Sequence, residues 1–195
     1  MIEWLKAIDS SIVLAINGTH NHFLDTLFWL FSGKLTWIPL YLLLLFFVWK
    51  YLGFRKMLLF LVIVAATIAV VDITSVHLFK ETFQRYRPSH HLILSQQLHY
   101  HVTESGELYK GGQYGFVSSH AANFFSLTVL AGMTLRAYRK NLIWLLLIIA
   151  CMVSLSRVYL GVHYPSDVIV GGLWGATISY FSFRYLLQPL LLTKK

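Results

Sequence analysis

A polytopic bundle of membrane-spanning α-helices, all-α in class, is the fold this sequence predicts, and three observations carry the prediction. Hydrophobic residues make up 57% of the chain and charged residues only 12%, a balance unlike that of soluble domains. Apolar runs recur at lengths suited to a bilayer, whose hydrocarbon takes roughly 20 helical residues to cross. Basic clusters fall between these runs at alternate connections, as segments held on one cytoplasmic side do. At 195 residues the chain has room for about five or six such helices in a single domain, residues 1–195.

Taken in order, residues 2–16 set Glu3, Lys6 and Asp9 among apolar residues, which predicts an amphipathic helix in the membrane interface. The stretch lacks the basic start and small-residue cleavage site of a signal peptide. A loop at 17–22 leads to a short apolar helix at 23–31, interrupted by Ser32, Gly33 and Lys34. The first strong span is 35–52. After a basic turn at Lys50, Arg55 and Lys56, residues 57–76 form the second span, with Asp72 near its far end. Residues 79–119 are the one long polar segment. The third span is 121–135, the fourth 142–155 beyond the basic turn at Arg136, Arg139 and Lys140, and the last 164–190, ending at Lys194 and Lys195. The third and fourth spans return the chain to the side it left, so segments 80–120 and 156–167 share one face. By the charge bias that face is non-cytoplasmic, and Lys80, Arg85 and Arg87 sit there against the trend.

Several features read as structural. The formal charge of +8 is spread over short clusters and not along one polar face, which argues against nucleic acid as a partner. The single cysteine, Cys151, excludes an intrachain disulfide and reads as a packing residue. His90, His91, His99 and His101 are irregularly spaced and read as solvated loop residues, although their loop, with Gln96, Gln97, Tyr100, Glu104 and Tyr109, is placed to touch a headgroup. Asp72 and His77 are expected in structural pairing. Gly171 and Gly175, spaced G-x-x-x-G, predict a close helix approach.

Three clusters on the shared face carry chemistry. Lys80 and Arg87 lie seven residues apart, two helical turns, and share a face if the second span continues until Pro88 ends it. An ammonium and a guanidinium there suit phosphate oxygens. Ser118, Ser119 and His120 open the third span, where hydroxyls cap a helix whose free N–H groups attract an anion and a histidine serves as general acid. Arg157, His163 and Asp167 cross a helix–turn–helix junction. The four-residue spacing lets Asp167 fix one imidazole nitrogen of His163 and leave the other as nucleophile, with Arg157 on the phosphoryl oxygens.

Together these clusters resemble the signature of the type 2 phosphatidic acid phosphatase (PAP2) family: K-x6-RP, then PSGH, then SR-x5-H-x3-D. Lys80-x6-Arg87-Pro88 and Ser156-Arg157-x5-His163-x3-Asp167 match in full, while the middle motif reads Val117-Ser118-Ser119-His120. The likeness extends over residues 57–185. It implies a six-helix core and phosphate hydrolysis without metal or other cofactor. His163 attacks phosphorus, Asp167 is its carboxylate partner, His120 protonates the leaving group, and Lys80, Arg87, Ser118 and Arg157 hold the phosphate, with Ser119 adding a hydroxyl. The implied partner is a phosphorylated lipid in the bilayer, met at the outer, periplasmic face of a bacterial inner membrane. Undecaprenyl pyrophosphate leads, because small size and an outward site resemble bacterial members acting on it. Phosphatidylglycerol phosphate, phosphatidic acid and the phosphates of lipid A are alternatives. So are phosphoryl transfer between lipids and, in another class, a non-catalytic protein that binds or transports anionic lipid.

Overall fold

The computed structural model describes residues 3–192 and is built from helices, with Lys194 and Lys195 outside the described part. α1 (Glu3–Asn17) and α2 (His22–Ser32) lead through a 3-10 turn at Leu35–Trp37 to α3 (Ile38–Leu52). α4 (Phe54–Thr74) runs on through a π-helical turn (Ser75–Lys80) into the short α5 (Glu81–Phe83). After the polar segment come α6 (Ser119–Thr134), α7 (Leu142–Tyr159) and α8 (Pro165–Ser182), the last continued by a π-helical stretch, Phe183–Leu192. Gly53 makes the tight turn between α3 and α4 at φ 87°, a conformation that penalises any Cβ.

Among the described residues, three helices are long and apolar enough to cross a membrane: Leu35–Leu52, Phe54–Phe83 and Leu142–Tyr159. Their outward faces carry Leu42, Phe46, Leu61, Val62 and Ile148, all exposed, and the chain is an integral membrane protein. α6 and α8, the other expected spans, fall short of that measure. α6 lies inside the bundle against α4, α7 and α8, so it meets little lipid and tolerates serine, threonine and glycine. A similar logic revises α1. Its exposed residues include Trp4, Leu5, Ile8 and Ile12, whereas Asp9 and Asn17 are buried. The acid that gave the segment its interfacial look points into the protein. Cys151 is exposed on α7 and is not the buried packing residue expected.

The glycine spacing on α8 does bring two helices together. A Cβ on Gly171 would stand 2.6 Å from the Ser118 carbonyl oxygen, and one on Gly175 would run into the backbone of Ala122. The Ser118 N–H donates to the Asp167 carbonyl at 3.0 Å, so this contact also sets the two motif-bearing helix ends against each other. Gly175→Val is therefore expected to cost about 3 kcal/mol from overpacking. Thermal unfolding in detergent should show a clear drop, and Ser119 and His120 ride on the displaced helix.

Candidate active site

Continuation of α4 brings Lys80 to the site, but Arg87 arrives by another route. The helix ends at Phe83, Gln84 adopts φ 45°, and Tyr86 pairs with Tyr114 in an isolated bridge. Pro88 thus begins a new turn and does not end the helix. The polar segment folds back on itself here: Arg87 N–H donates to Gln113 O at 3.1 Å and Gly115 N–H to Arg85 O at 2.9 Å. The Arg87 Nε donates to Tyr114 O at 3.1 Å. Its guanidinium lies against Gly111 and Gly112, and a Cβ on Gly115 would come within 3.1 Å of Asp167 Oδ2 and 3.5 Å of His163 Nδ1. This Gly-Gly-x-x-Gly run was readable in the sequence as a close-approach signal, and no site role was assigned to it.

Lys80, Arg87, Ser119, His120, Arg157 and His163 all border one cavity of about 840 Å³. Lys80 Nζ donates to Ser119 Oγ at 2.8 Å, and Ser119 Oγ lies 2.8 Å from Ser75 Oγ. Arg157 is buried, donating to Ser32 Oγ and, at 2.9 Å, to Tyr109 OH. Its Nε has no partner among the described residues. None of Lys80, Arg87 and Arg157 lies within ion-pair distance of a carboxylate among the described residues. Arg157 is buried and Lys80 and Arg87 are half-buried; cations withdrawn from water without counter-ions are costly, so their convergence favours a multiply charged anion. Burial and the nearby Arg157 push the Arg87 guanidinium down to about 10, still charged at neutral pH.

Ser118 takes a different position from the one expected of a phosphate ligand. It is fully buried, caps α6 by accepting from Ala121 N–H at 3.5 Å, and is absent from the cavity wall, where Ser119 stands instead. Asp167 stands behind His163. His163 Nδ1 is 3.5 Å from Asp167 Oδ2, an ion-pair distance longer than a hydrogen bond of good geometry. Burial, then Arg87 and Arg157, hold the His163 imidazole well below its ordinary pKa, so the ring is neutral at pH 7. Nδ1 makes no hydrogen bond among the described residues and has Asp167 as its nearest charged neighbour, which leaves Nε2 as the ring nitrogen not engaged by that carboxylate.

Asp167 is itself held from two sides. Oδ2 accepts from Tyr164 N–H at 2.9 Å as the third-position acid of a capping box, and Oδ1 accepts from Arg85 at 2.8 Å. Arg85 also donates to Asp9 Oδ2 at 2.7 Å and lies over the Tyr164 ring at 3.9 Å. Asp9 further accepts from Ser166 N–H at 3.0 Å. Asp9 carried no site signal in the sequence, while Arg85 stood out only by the charge trend and Tyr109 only as part of a loop placed to touch a headgroup, because only folding brings α1 and the polar segment to the site. The signal that existed was the basic residue lying against the charge trend.

In the histidine loop His91 is exposed as expected, whereas His99 and His101 are packed against neighbouring rings. His101 stacks on Trp29 at 4.0 Å, and His99 stacks on His20 at 4.1 Å while its Nε2 lies 3.1 Å from Asp25 Oδ2. Asn17 fastens the same loop, donating to the carbonyls of His99 and Tyr159, both at 2.8 Å. His77 pairs with Glu81 at 2.8 Å, leaving Asp72 on the cavity wall.

Comparison with known proteins places this geometry. The sequence model of the PAP2 superfamily matches residues 56–189. The chain is 32% identical over 95% of its length to a lipid A 4'-phosphatase of Porphyromonas gingivalis, covering 76% of that protein. It is 33% identical over 93% of its length to a lipid A 4'-phosphatase of Bacteroides thetaiotaomicron, covering 79% of it. The crystal structure of a PAP2-type phosphatidylglycerolphosphate phosphatase from Bacillus subtilis superposes with a TM-score of 0.70 at 18% identity, covering 99% of this chain and 90% of that one, a likeness of fold.

Proposed function

Because the chain belongs to the PAP2 superfamily and is a membrane lipid phosphatase, we propose that it hydrolyses the phosphate monoester of a lipid A-type glycolipid through a phosphohistidine on His163. The observation that carries the reading is the convergence of unpaired cations and a neutral, buried histidine at one end of a cavity. Beyond that polar end the cavity is walled by Leu44, Leu45, Phe60, Val64 and Leu127, a lining suited to acyl chains.

In this reading Lys80, Arg87, Arg157 and Ser119 bind the phosphoryl oxygens and stabilise their charge as the bond order to phosphorus changes. His163 Nε2 attacks phosphorus, forming an N–P bond as the P–O bond to the lipid breaks. His120, on the same cavity wall, gives its proton to the departing alkoxide. A water then attacks phosphorus, the N–P bond breaks, and His120 takes the water's proton, leaving inorganic phosphate and the starting enzyme. Asp167 steadies the positive charge that His163 carries while phosphorylated.

The substrate differs from the polyprenyl pyrophosphate that the sequence favoured. Relatives named lipid A 4'-phosphatases match nearly the whole chain, and this supports the glycolipid. The test is phosphate release by the purified protein in detergent, with a chelator present, from lipid A, undecaprenyl pyrophosphate and phosphatidylglycerol phosphate. The fastest release is expected from lipid A. A clear preference for either other lipid would reject the assignment.

A further inference from the structure

We infer that Asp72 and Asn123 form a subsite that reads hydrogen-bond donors on the headgroup next to the scissile phosphate, a deepening that rests on the phosphatase reading above. Both residues border the cavity. Their depth follows from the helices that carry them. Ser75 Oγ and Ser119 Oγ, 2.8 Å apart, mark the level of the phosphate pocket at the π-helical turn that continues α4 and at the start of α6. Asp72 precedes Ser75 by three residues and Asn123 follows Ser119 by four, so each lies about one helical turn, roughly 5 Å, deeper.

The chemistry of the pair is one-sided. Asn123 Nδ2 lies 3.5 Å from Asp72 Oδ1, which turns the amide's donors towards the carboxylate. Asn123 Oδ1 is buried without a hydrogen-bond partner among the described residues. Asp72 has no ion pair among the described residues, although it belongs to a helix long and apolar enough to cross a membrane. A carboxylate oxygen accepts, as does an amide oxygen, so the wall at this depth offers acceptors and asks for donors. An ionisable side chain in such a helix, facing a cavity, points to a ligand.

A phosphorylated, acylated amino sugar places hydroxyl or amide N–H groups within a few ångströms of its phosphate and acyl chains beyond them. That order matches the cavity: cations, then acceptors, then apolar wall. A polyprenyl phosphate carries hydrocarbon where the acceptors stand and would leave them unpaired in contact with it, a selective cost. Asp72 and Lys80 border the same cavity, so the competing role is simple balance of charge.

The experiment compares kcat/KM for lipid A bearing a 4'-phosphate and for undecaprenyl phosphate, with wild type, Asp72→Leu and Asp72→Asn in detergent. The expected result is that Asp72→Leu lowers the glycolipid value at least about tenfold more than the polyprenyl value, the worth of one charge-assisted hydrogen bond. Asp72→Asn, close in shape and able to fold where leucine fails, should move the ratio the same way by less. Equal losses on both lipids in both variants would overturn the subsite and leave Asp72 as a counter-charge. Absence of release from every lipid by folded wild type would reject the phosphatase reading and the subsite with it.

Discussion

Replacing His163 with alanine is expected to reduce kcat/KM on the order of 10⁴-fold or more while leaving the protein folded, since a nucleophile and its helpers act as one unit. The expectation rests on position and protonation. The ring is buried at the polar end of the cavity, is held neutral, and has only Nε2 free of Asp167. Removing it leaves Lys80, Arg87 and Arg157 in place, so binding of a phosphorylated lipid should persist, and a labelled substrate should still be retained by the variant. Brief reaction of wild type with ³²P-labelled lipid followed by alkaline quenching should trap acid-labile label on the protein, and the His163→Ala protein should carry none. A variant with more than about a tenth of wild-type turnover would rule out His163 as the nucleophile.

Arg85→Met should be the most destabilising single change near the site. The guanidinium joins Asp9 and Asp167 at 2.7 and 2.8 Å, and all three side chains are largely withdrawn from solvent. Taking away the shared cation leaves two buried carboxylates without a counter-ion, a loss of about 3–5 kcal/mol for breaking a buried pair from one side. Activity should fall as well, about 10²-fold in kcat with less change in KM, because Asp167 loses the contact that aims it at His163. Asp9→Asn should be milder, since an amide oxygen still accepts from Ser166 N–H. Thermal unfolding in detergent and steady-state kinetics measure both effects. A fully active, normally stable Arg85→Met protein would show that α1 and Asp9 are not coupled to the site.

The two changes differ in how visible they were beforehand. His163 and Asp167 sit four residues apart at a helix start, and a spacing of that kind survives any arrangement of the other helices. Arg85 and Asp9 are 76 residues apart, and nothing local to either says that they meet. The same contrast runs through the cavity. Lys80 was placed by helical continuation, but Arg87 reached it through a left-handed Gln84 and a glycine-lined fold-back that a helical projection misses. Ser118 and Ser119 are neighbours in the sequence with opposite fates, since packing of Ser118 on Gly171 decides which hydroxyl faces the cavity.

By itself the sequence determined the membrane class, the approximate helices and the motif residues of one face, because hydropathy and short spacings are local properties. Tertiary structure alone decided that α1 turns its acid inwards, that Asp72 and Asn123 meet one turn below the phosphate pocket, and which cations lack a partner. The reason is physical: charge pairing, burial and the shape of a cavity are set by groups far apart along the chain, and they exist only once the helices have packed.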